Sequence, residues 1–318
     1  MKYFVTGGAG FVGSSMVDRL LSMGHEVTAY DNLSTGVLRF LDDAAKNPKF
    51  KLIKGDILDR GLLTESMAGH DFVFHFAANA DIKDNLSHPD FVFEQNAGGT
   101  LSVLEAMRAS KITRIAFSST GSVYGEPEVF PTPEDCPCPV QTSLYAASKM
   151  YGEGLISSYC EGYGFTGYIF RFVSLLGERY PHGHVFDFVR KLKQDSSVLP
   201  ILGDGHQRKS YLYIQDCLDA IFSAIESSES GVNIFNLGTN EYCEVKDSAG
   251  WIAARMGMSP EFSFGTDKRG WVGDSPFIFL DTSKIRNTGW EPKLSIRQAV
   301  ERTVDYLIDN PWLFDVRK

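Results

Sequence analysis

Short apolar runs alternate with longer amphipathic stretches along the first half of the chain. The short runs are rich in β-branched and aromatic residues, as buried strands are, and the longer stretches carry apolar residues at helical spacing. The predicted strands are KYFVT (2–6), HEVTAYD (25–31), FKLIKGD (50–56), DFVFHFAA (71–78), RIAFSS (114–119) and GYIFRFV (167–173). The predicted helices between them include 11–23, 91–110 and 144–160. Strands that alternate with helices in this way predict a parallel sheet covered on both faces.

The alternation of strands and helices becomes less regular after about residue 175, where helical segments are joined by connections that contain glycine and proline. We therefore expect a doubly wound α/β domain followed by a smaller, mixed α/β part. The boundaries that the pattern predicts are 1–173 plus about 210–237 for the first domain, and about 174–209 plus 238–318 for the second.

The composition narrows the class of protein. The chain has 318 residues, of which 43% are hydrophobic, and this is enough to bury a sizeable core. A formal net charge of −9 without a cluster of Lys and Arg argues against nucleic-acid binding. The sequence has neither an apolar segment of signal-peptide length at its start nor a run of 18 apolar residues, so we expect a cytoplasmic protein that does not bind membranes. Its five cysteines suit a reducing compartment and lack zinc-site spacing, so we expect no metal site.

Glycines lie between the first strand and the first helix, in the segment FVTGGAGFVG. Gly7, Gly10 and Gly13 permit a tight turn and a close backbone approach, so a pyrophosphate can bind the N–H groups at the positive end of the helix. Asp31 ends the second strand about 20 residues further on, where a carboxylate binds the adenosine ribose hydroxyls. This combination predicts a Rossmann-type dinucleotide site. An acid rather than an arginine after the second strand favours NAD over NADP.

Two further strand ends give weaker signals. Asp56 follows the third strand beside Ile57, and its carboxylate either bonds the adenine amino group or caps a helix. The fourth strand ends in FHFAANAD, in which the small Ala77, Ala78 and Ala80 leave room for a planar cofactor group. Tight packing of a helix on the sheet explains each alanine equally well.

The segment SLYAASKMYGEG places Tyr145 and Lys149 one helical turn apart on the same face. Taken alone, the pair is more typical of a partly buried aromatic residue and a surface charge. For Tyr145 to act as a base near neutral pH, its pKa must fall by about three pH units from 10, which corresponds to about 4 kcal/mol. Lys149 and the cationic nicotinamide ring are expected to supply this together. Ser118, Ser119 and Thr120 end the fifth strand at the same sheet edge, and together with the dinucleotide motif they predict an active site with Tyr145 as the base.

The motifs TGGAGFVG, HFAANA, SSTGSVYG and YAASK occur in this order along the chain. Together they resemble the extended short-chain dehydrogenase/reductase family, in particular NAD-dependent nucleotide-sugar epimerases of the UDP-glucose 4-epimerase type, over essentially the whole chain. The resemblance implies that Tyr145 is the base, that Lys149 binds the nicotinamide ribose and lowers the pKa of Tyr145, and that Thr120 hydrogen-bonds the reacting sugar hydroxyl. Hydride would pass from the sugar C4 to NAD and return to the opposite face.

The resemblance also implies which residues line the two ligand sites. The residues for NAD, in the first domain, are Gly7, Gly10, Phe11, Val12, Gly13, Asp31, Asn32, Asp56, Ile57, Phe76, Ala77, Ala78, Asn96, Ser118, Tyr145 and Lys149. The residues for the nucleotide-diphosphate sugar are Asn79, Lys83, Thr120, Ser122, Ser174, Arg208, Lys209 and Arg269. The resemblance further implies a homodimer formed through the helices at 91–110 and 144–160.

The residues after Thr120 bear on the reaction. The similar 4,6-dehydratases carry Asp-Glu there, and this chain has Gly121 and Ser122. Nucleotide-sugar decarboxylases typically keep a Glu at the position of Ser122, and the epimerase/reductases that make GDP-fucose use a Cys that SSTGSVYG does not contain. We therefore predict C4 epimerisation of a UDP-hexose. The open alternatives are a nucleotide-sugar C4 dehydrogenase or ketoreductase, an epimerase for a GDP-, CDP- or dTDP-linked sugar, and a catalytically silent NAD-binding regulator.

The predicted substrate end departs from the family pattern in two places. RFVSLLGER has Ser174 where the family commonly has Asn, and QRKSY has Lys209 at the usual Arg position with Arg208 beside it. Cations here suit a diphosphate, with Lys209 acting as a point charge rather than a bidentate fork. Arg269 matches a diphosphate-binding arginine less closely.

Overall fold

A computed structural model describes residues 1–80, 87–138, 140–267 and 277–316. These residues form two compact units. The first contains Met1–Val123, Ser143–Arg171 and Ala224–Phe235, and the second contains Tyr124–Thr142, Phe172–Ser223 and Asn236–Lys318.

Helices separate many of the strands in the first half of the chain, whereas several strands follow each other directly in the second half. The strands are β1 Lys2–Thr6, β2 Glu26–Asp31, β3 Phe50–Lys54, β4 Phe72–His75, β5 Arg114–Thr120, β6 Thr166–Phe172, β7 Ser174–Leu176, β8 Val198–Ile201, β9 Arg208–Lys209, β10 Tyr211–Tyr213, β11 Val232–Leu237, β12 Cys243–Glu244, β13 Glu261–Phe264 and β14 Phe277–Ile278. The helices are α1 Phe11–Ser22, α2 Arg60–Met67, α3 Pro89–Val92, α4 Gly99–Ala109, α5 Leu144–Tyr163, α6 His184–Gln194, α7 Ile214–Ser227, α8 Val245–Arg255, α9 Ser283–Arg286, α10 Ile296–Asp309 and α11 Leu313–Val316.

A seven-stranded sheet in the order β11-β6-β5-β4-β1-β2-β3 forms the centre of the first unit. The neighbours from β3 through β2, β1 and β4 to β5 pair in parallel. All four residues of β4 and the last four of β1 are buried, as expected for strands covered on both faces. Val103 and Met107 of α4 and Ile156 of α5 belong to the same apolar core as Ile115 and Ile169 of the sheet. The prediction of a doubly wound α/β fold is confirmed.

The helix ends follow local chemistry. Helix α5 begins after Ser143, whose hydroxyl accepts a hydrogen bond from Ala146 N at 3.1 Å, and it ends at Gly164, whose φ of 67° is left-handed. It extends three residues beyond the predicted end. The predicted helix at 91–110 is instead interrupted, because Phe93–Gly98 form a wider π-helical turn between α3 and α4. A π-turn inside a helix is often found at functional sites.

Several small sheets and a group of helices form the second unit. Strand β7 pairs in parallel with β10, β8 pairs with β13, and β9 lies between β12 and β14. Helix α10 begins with a capping box, in which Ser295 and Gln298 bond each other's backbone N–H groups. The Trp290 indole donates to Asp216 O at 3.0 Å and ties the chain before α10 to α7.

Apart from shifts of two residues after Arg171 and Phe235, the division of the chain differs from the predicted boundaries in two segments. Residues 124–142 belong to the second unit, because Thr132 N donates to Phe279 O at 2.8 Å and Thr132 pairs with Leu280. Residues 210–223 also belong there, because β10 pairs with β7. Both differences come from pairing between residues that are distant in sequence, which hydrophobic periodicity does not reveal.

Three observations concern both units of the described part of the chain. No helix in the described ranges is long and apolar enough to span a membrane. All five cysteines are described, and none of them forms a disulfide. Across the same ranges, no group of three or more His, Cys, Asp or Glu side chains is arranged to hold a metal ion.

Candidate active site

The loop between β1 and α1 brings three strand ends together. Gly7 has a φ of +67°, and a Cβ there would lie 2.7 Å from Ala77 N at the end of β4, so only glycine fits. Gly10 N donates to Gly7 O at 3.0 Å and closes the turn, and Gly10 is the N-cap of α1 without a side-chain cap. Phe11, Val12 and Gly13 form the first turn of α1, which contains no acidic residue. An uncapped helix start behind a glycine turn suits a pyrophosphate.

Asp31 lies at the end of β2 and faces this loop. Its carboxylate accepts hydrogen bonds from Ala9 N at 2.9 Å and Leu33 N at 2.8 Å. Burial raises the pKa of Asp31, while these two N–H groups oppose the rise. Gly36 packs so closely that a Cβ there would lie 2.6 Å from the Asp31 carboxylate. The structure thus places Asp31 beside the glycine loop, where a cofactor ribose is expected.

The end of β3 lies next to the end of β2. Asn32 Nδ2 donates to Asp56 Oδ2 at 2.9 Å, and Asp56 Oδ1 accepts from Leu58 N at 2.9 Å. The N-cap of α2 is Asp59, which accepts from Leu62 N, so Asp56 does not cap that helix. This removes the helix-cap explanation of Asp56 and leaves its role toward adenine as a prediction. Ile57 is buried in the core behind it.

Asn96 connects the end of β4 to α5. Its side-chain oxygen accepts from Asn79 N at 2.7 Å, and its amide donates to Asn79 O at 3.0 Å and to Ser148 Oγ at 2.9 Å. Ser148 Oγ donates in turn to Tyr145 O at 2.8 Å. Because Asn96 lies in the π-turn Phe93–Gly98, that turn positions its amide between the strand end and the helix.

The other predicted residues of this strand end lie against the glycine loop. Phe76 N donates to Thr6 O at 3.2 Å, and Ala77 N donates to the Thr6 hydroxyl at 3.3 Å. Ala77 and Ala78 therefore follow a backbone that is held beside β1. Small side chains here leave the sheet edge accessible to a planar group.

Tyr145 and Lys149 share one face of α5, as predicted. The Lys149 ammonium lies 5.8 Å from the centre of the Tyr145 ring and 4.8 Å from the centre of the Phe117 ring. Lys149 is only 2% exposed, and burial lowers its pKa to about 7, while the nearby Glu153 carboxylate opposes this effect. Burial raises the pKa of Tyr145 to about 12. The expected lowering of the Tyr145 pKa is therefore not produced by the protein alone, because desolvation of the phenolate dominates.

The hydroxyl groups that end β5 lie in the same unit. The Thr120 hydroxyl accepts from Ser122 N at 3.1 Å at the start of the 3₁₀ turn Gly121–Tyr124. Ser118 Oγ donates to His75 O at 3.4 Å and links β5 to β4. Thr120 and Ser122 are both partly exposed.

The remaining predicted substrate residues belong to the second unit or lie outside the described ranges. Ser174 is exposed on β7. On β9, the Arg208 guanidinium is stacked 3.9 Å from the centre of the Phe277 ring, whereas Lys209 lies near His184, whose pKa its charge helps to lower. Neighbouring strand residues point to opposite faces, so the two cations do not converge on one point. Lys83 and Arg269 lie outside the described residues.

Comparisons with known proteins place this arrangement in a family. Residues 3–238 match the model of the NAD dependent epimerase/dehydratase family. The chain belongs to this family. A UDP-glucose 4-epimerase from Mycolicibacterium smegmatis is 32% identical over 314 residues, which cover 96% of this chain and 98% of that protein.

Solved structures of family members share the fold closely. The UDP-glucose 4-epimerase of Thermus thermophilus, crystallised with NAD, is 32% identical with a TM-score of 0.86, and the match covers 97% of this chain and 99% of that one. A dTDP-glucose 4,6-dehydratase from Streptomyces venezuelae, also with NAD bound, is 27% identical with a TM-score of 0.90 and coverage of 99% and 100%. The predictions of the family, of an NAD-dependent epimerase-type enzyme and of NAD as cofactor are confirmed. The fold alone does not separate epimerase from dehydratase, because structures of both kinds match nearly the whole chain, with TM-scores of 0.86 and 0.90.

Sequence reasoning missed several residues of the site. Ala9 and Leu33 bind the Asp31 carboxylate through their backbone, which no side-chain motif reveals. Glu153 and Arg171 form a buried ion pair with 2.7 Å between Nη2 and Oε2, and Ser119 donates a short hydrogen bond to the same Glu153 carboxylate. A signal was present, since Glu153 follows Tyr145 and Lys149 at the same four-residue spacing.

Proposed function

We propose that this family member is an NAD-dependent nucleotide-sugar 4-epimerase that acts on a UDP-hexose. The observation that carries the proposal is the set Tyr145, Lys149 and Thr120 at the carboxyl edge of the Rossmann sheet, with Gly121 and Ser122 following Thr120. Elimination of water needs a further acid and base beside the sugar, and neither Gly121 nor Ser122 provides one. The relatives named as UDP-glucose 4-epimerases support the choice of substrate.

In this proposal the chain handles the proton, and bound NAD would accept the C4 hydride and return it. Tyr145 takes the proton of the sugar 4-hydroxyl and later gives it back. Thr120 hydrogen-bonds the same oxygen and aims it at the phenol. Lys149 supplies positive charge one helical turn away from Tyr145.

The state of Tyr145 sets a requirement for this mechanism. With burial holding its pKa at about 12, the phenol of the protein alone is protonated at neutral pH. The proposal therefore requires additional positive charge beside the ring when cofactor and substrate are bound, and a protonated Lys149, 5.8 Å from the ring centre, is a source that the chain itself provides.

We further propose that the diphosphate is bound by the second unit. Lys209 is the stronger candidate there, because the Arg208 guanidinium is stacked on Phe277 and lies 5.7 Å from the centre of the Tyr242 ring. Arg208, Ser174, Ser122, Asn79, Lys83 and Arg269 remain predictions for the substrate.

We also propose a homodimer and a cytoplasmic location. Phe93 and Tyr151 are 57% and 46% exposed, and their rings lie 6.0 Å apart on the helical segments for which the family resemblance implies an interface. Large exposed aromatic side chains suit contact with a second copy. Light scattering of Phe93→Asp protein tests this, because the charge is expected to reduce the mass from dimer to monomer.

The cytoplasmic location rests on five cysteines without a disulfide.

The direct test is product formation. Purified protein is incubated with UDP-glucose, UDP-N-acetylglucosamine, UDP-glucuronate and GDP-, CDP- and dTDP-linked sugars, and inversion at C4 is followed by NMR. We expect inversion of a UDP-hexose without net NADH formation. Net NADH formation would indicate the dehydrogenase alternative, and no inversion of any donor would defeat the proposal.

A matched pair of variants assigns the base. Tyr145→Phe is expected to lower turnover by about 10²–10⁴-fold while leaving the NAD content unchanged, because only a proton acceptor is lost. Tyr163→Phe, which changes an exposed tyrosine of the same helix, is expected to turn over like the wild type. Wild-type turnover by Tyr145→Phe would disprove the assignment.

A further inference from the structure

A buried charged cluster lies beside Lys149 and is not used by the mechanism proposed above. Glu153, Arg171 and Ser119 are 4%, 5% and 2% exposed. Arg171 Nη2 donates to Glu153 Oε2 at 2.7 Å, and Arg171 Nε donates to Oε1 at 3.1 Å. Ser119 donates its hydroxyl to the same Oε1. Both carboxylate oxygens are therefore held.

This cluster joins the elements that carry the proposed catalytic groups. Glu153 lies on α5 one turn after Lys149 and two turns after Tyr145. Ser119 immediately precedes Thr120 at the end of β5, and Arg171 lies near the end of β6. A single carboxylate thus ties the helix that carries the base to the strand that carries the substrate-orienting hydroxyl.

The same carboxylate is the charge that favours a protonated Lys149. Desolvation of a buried ammonium is expensive, and an opposite charge within about 4–6 Å is what keeps such a group charged. Among the described residues, the groups that interact with Lys149 from the packed elements are Tyr145 and Glu153 of α5, His75 of β4 and the Phe117 ring of β5. Burial and the Lys149 charge lower the pKa of His75 to about 3, so His75 is uncharged, and Arg171 is paired with Glu153. Of these groups Glu153 carries the negative charge.

We propose that Glu153 is a positioning residue of the proposed epimerase site, which holds Lys149 as a cation and fixes the end of β5 against α5. The inference rests on the proposed function for its effect on turnover, but not for its effect on Lys149. Glu153 itself touches neither substrate nor cofactor in this scheme. Its neutral replacement should leave Lys149 in place and change its proton affinity.

The test titrates Lys149 directly. Protein labelled with ¹³C at the lysine Cε is titrated by NMR, and the Lys149 signal is identified by its loss in Lys149→Met. In Glu153→Gln, we expect the Lys149 midpoint to fall by about one pH unit or more, a tenfold loss of proton affinity, because a close opposite charge typically contributes 1–3 units. Glu161→Gln, at an exposed site on the same helix, is the matched control and is expected to leave the midpoint unchanged. Glu153→Asp keeps the negative charge and is expected to bring the Lys149 midpoint most of the way back to its wild-type value.

A double variant allows the Lys149 titration to be measured even if the single variant does not fold. Glu153→Gln alone leaves the buried Arg171 guanidinium without the Glu153 carboxylate, which is strongly destabilising, whereas Glu153→Gln with Arg171→Met removes both charges. The double variant is expected to lower the Lys149 midpoint less than the single variant does, because it also removes the positive charge of Arg171. A wild-type midpoint in both variants, or an equal shift in Glu161→Gln, would overturn the proposal.

The pH profile of turnover gives the second readout. Loss of the Lys149 proton should end activity at high pH, so the alkaline limb of kcat is expected to move to lower pH in Glu153→Gln, with little change in KM. A uniform loss at every pH would indicate a merely structural residue and would contradict the proposal. Failure of the wild type to invert any donor would defeat the proposed function while leaving the NMR result valid.

Discussion

The end of β4 and the middle of α5 each bury a nitrogen base, and the two bases are in opposite states. His75 on β4 is 1% exposed and Lys149 on α5 is 2% exposed. His75 lies between the hydroxyls of Thr6 and Thr100, at 2.8 and 3.1 Å. The Thr100 hydroxyl donates to Asn96 O at 2.6 Å, so it accepts from His75 Nε2, and the Thr6 hydroxyl donates to Nδ1. These partners satisfy a neutral imidazole.

Lys149 has the opposite surroundings. Its neighbours are the Glu153 carboxylate and the faces of two aromatic rings, all of which favour a cation. Burial lowers the pKa of both bases, to about 3 for His75 and to about 7 for Lys149. Burial alone therefore does not mark a functional base. Of these two buried bases, Lys149 has an opposite charge beside it that favours its protonated form, and it is the one assigned a role in the reaction.

The largest expected effect concerns turnover. Lys149→Met removes the positive charge beside Tyr145, and we expect kcat to fall about 10²-fold or more. His75→Gln keeps a neutral hydrogen-bonding side chain and is expected to retain kcat within about tenfold. Steady-state rates of C4 inversion measure both. A larger loss in His75→Gln than in Lys149→Met would reverse the comparison.

The second effect is the loss of stability in acid. The pKa of His75 is about 3 when folded and about 6.5 when unfolded, so between these values the unfolded chain binds more protons and stability falls as the pH falls. The slope approaches about 1.4 kcal/mol per pH unit for one histidine. We expect His75→Gln to reduce the slope of the free energy of unfolding against pH between pH 6 and pH 4, as measured by urea titration at each pH. The exposed His88 provides the control, since His88→Gln should keep the wild-type slope.

The third effect is a gain in stability at the expense of activity. The pKa of Lys149 is about 7 in the folded state and about 10.5 in the unfolded state. Burying the Lys149 cation therefore lowers the free energy of unfolding most at neutral pH and below. Lys149→Met leaves the Glu153–Arg171 pair intact, and we expect it to stabilise the protein by about 1–3 kcal/mol at pH 7. The gain should shrink as the pH rises toward 10. Lys51→Met at an exposed strand position is the control and should change stability little. Destabilisation by Lys149→Met at neutral pH would contradict this account.

The smallest effect separates the two faces of α5. A Cβ at Gly152 would lie 2.8 Å from the Phe117 ring on which the Lys149 ammonium sits, whereas a Cβ at the exposed Gly154 would meet nothing within 4 Å. We expect Gly154→Ala to stabilise the protein by up to about 1 kcal/mol through helix propensity. Gly152→Ala is expected to destabilise it by about 1 kcal/mol, because overpacking exceeds that gain. Thermal midpoints measure both. Equal shifts of the two variants would show that the Phe117 ring moves aside without a cost in stability.

Much of the first unit was predictable because its signals are local. The strand pattern, the glycines before α1 and Asp31 after β2 follow from the order of residues, since the carboxyl ends of parallel strands meet at one edge. The pair Tyr145 and Lys149 was predictable from helical spacing. The interruption at Phe93–Gly98 was not, and its Asn96 contacts Asn79 and Ser148, which are distant in sequence.

The second unit shows why the rest was less predictable. Short strands such as β9 and β12 have two residues each, too few for a periodic signal. The pairing of Thr132 with Leu280 and of β10 with β7 put residues 124–142 and 210–223 in the second unit rather than in the first. On β9, the side chains of Arg208 and Lys209 point to opposite faces, although sequence proximity had suggested that they would act together.

The fold class, the family, the cofactor and the identity of the helical pair could be predicted from the sequence, because each depends on residue types at short spacing. The charge states around that pair could not. Proton affinity depends on burial and on charges brought together from α5, β5 and β6, so the roles of Glu153 and Arg171, and the raised pKa of Tyr145, appear only when those elements pack.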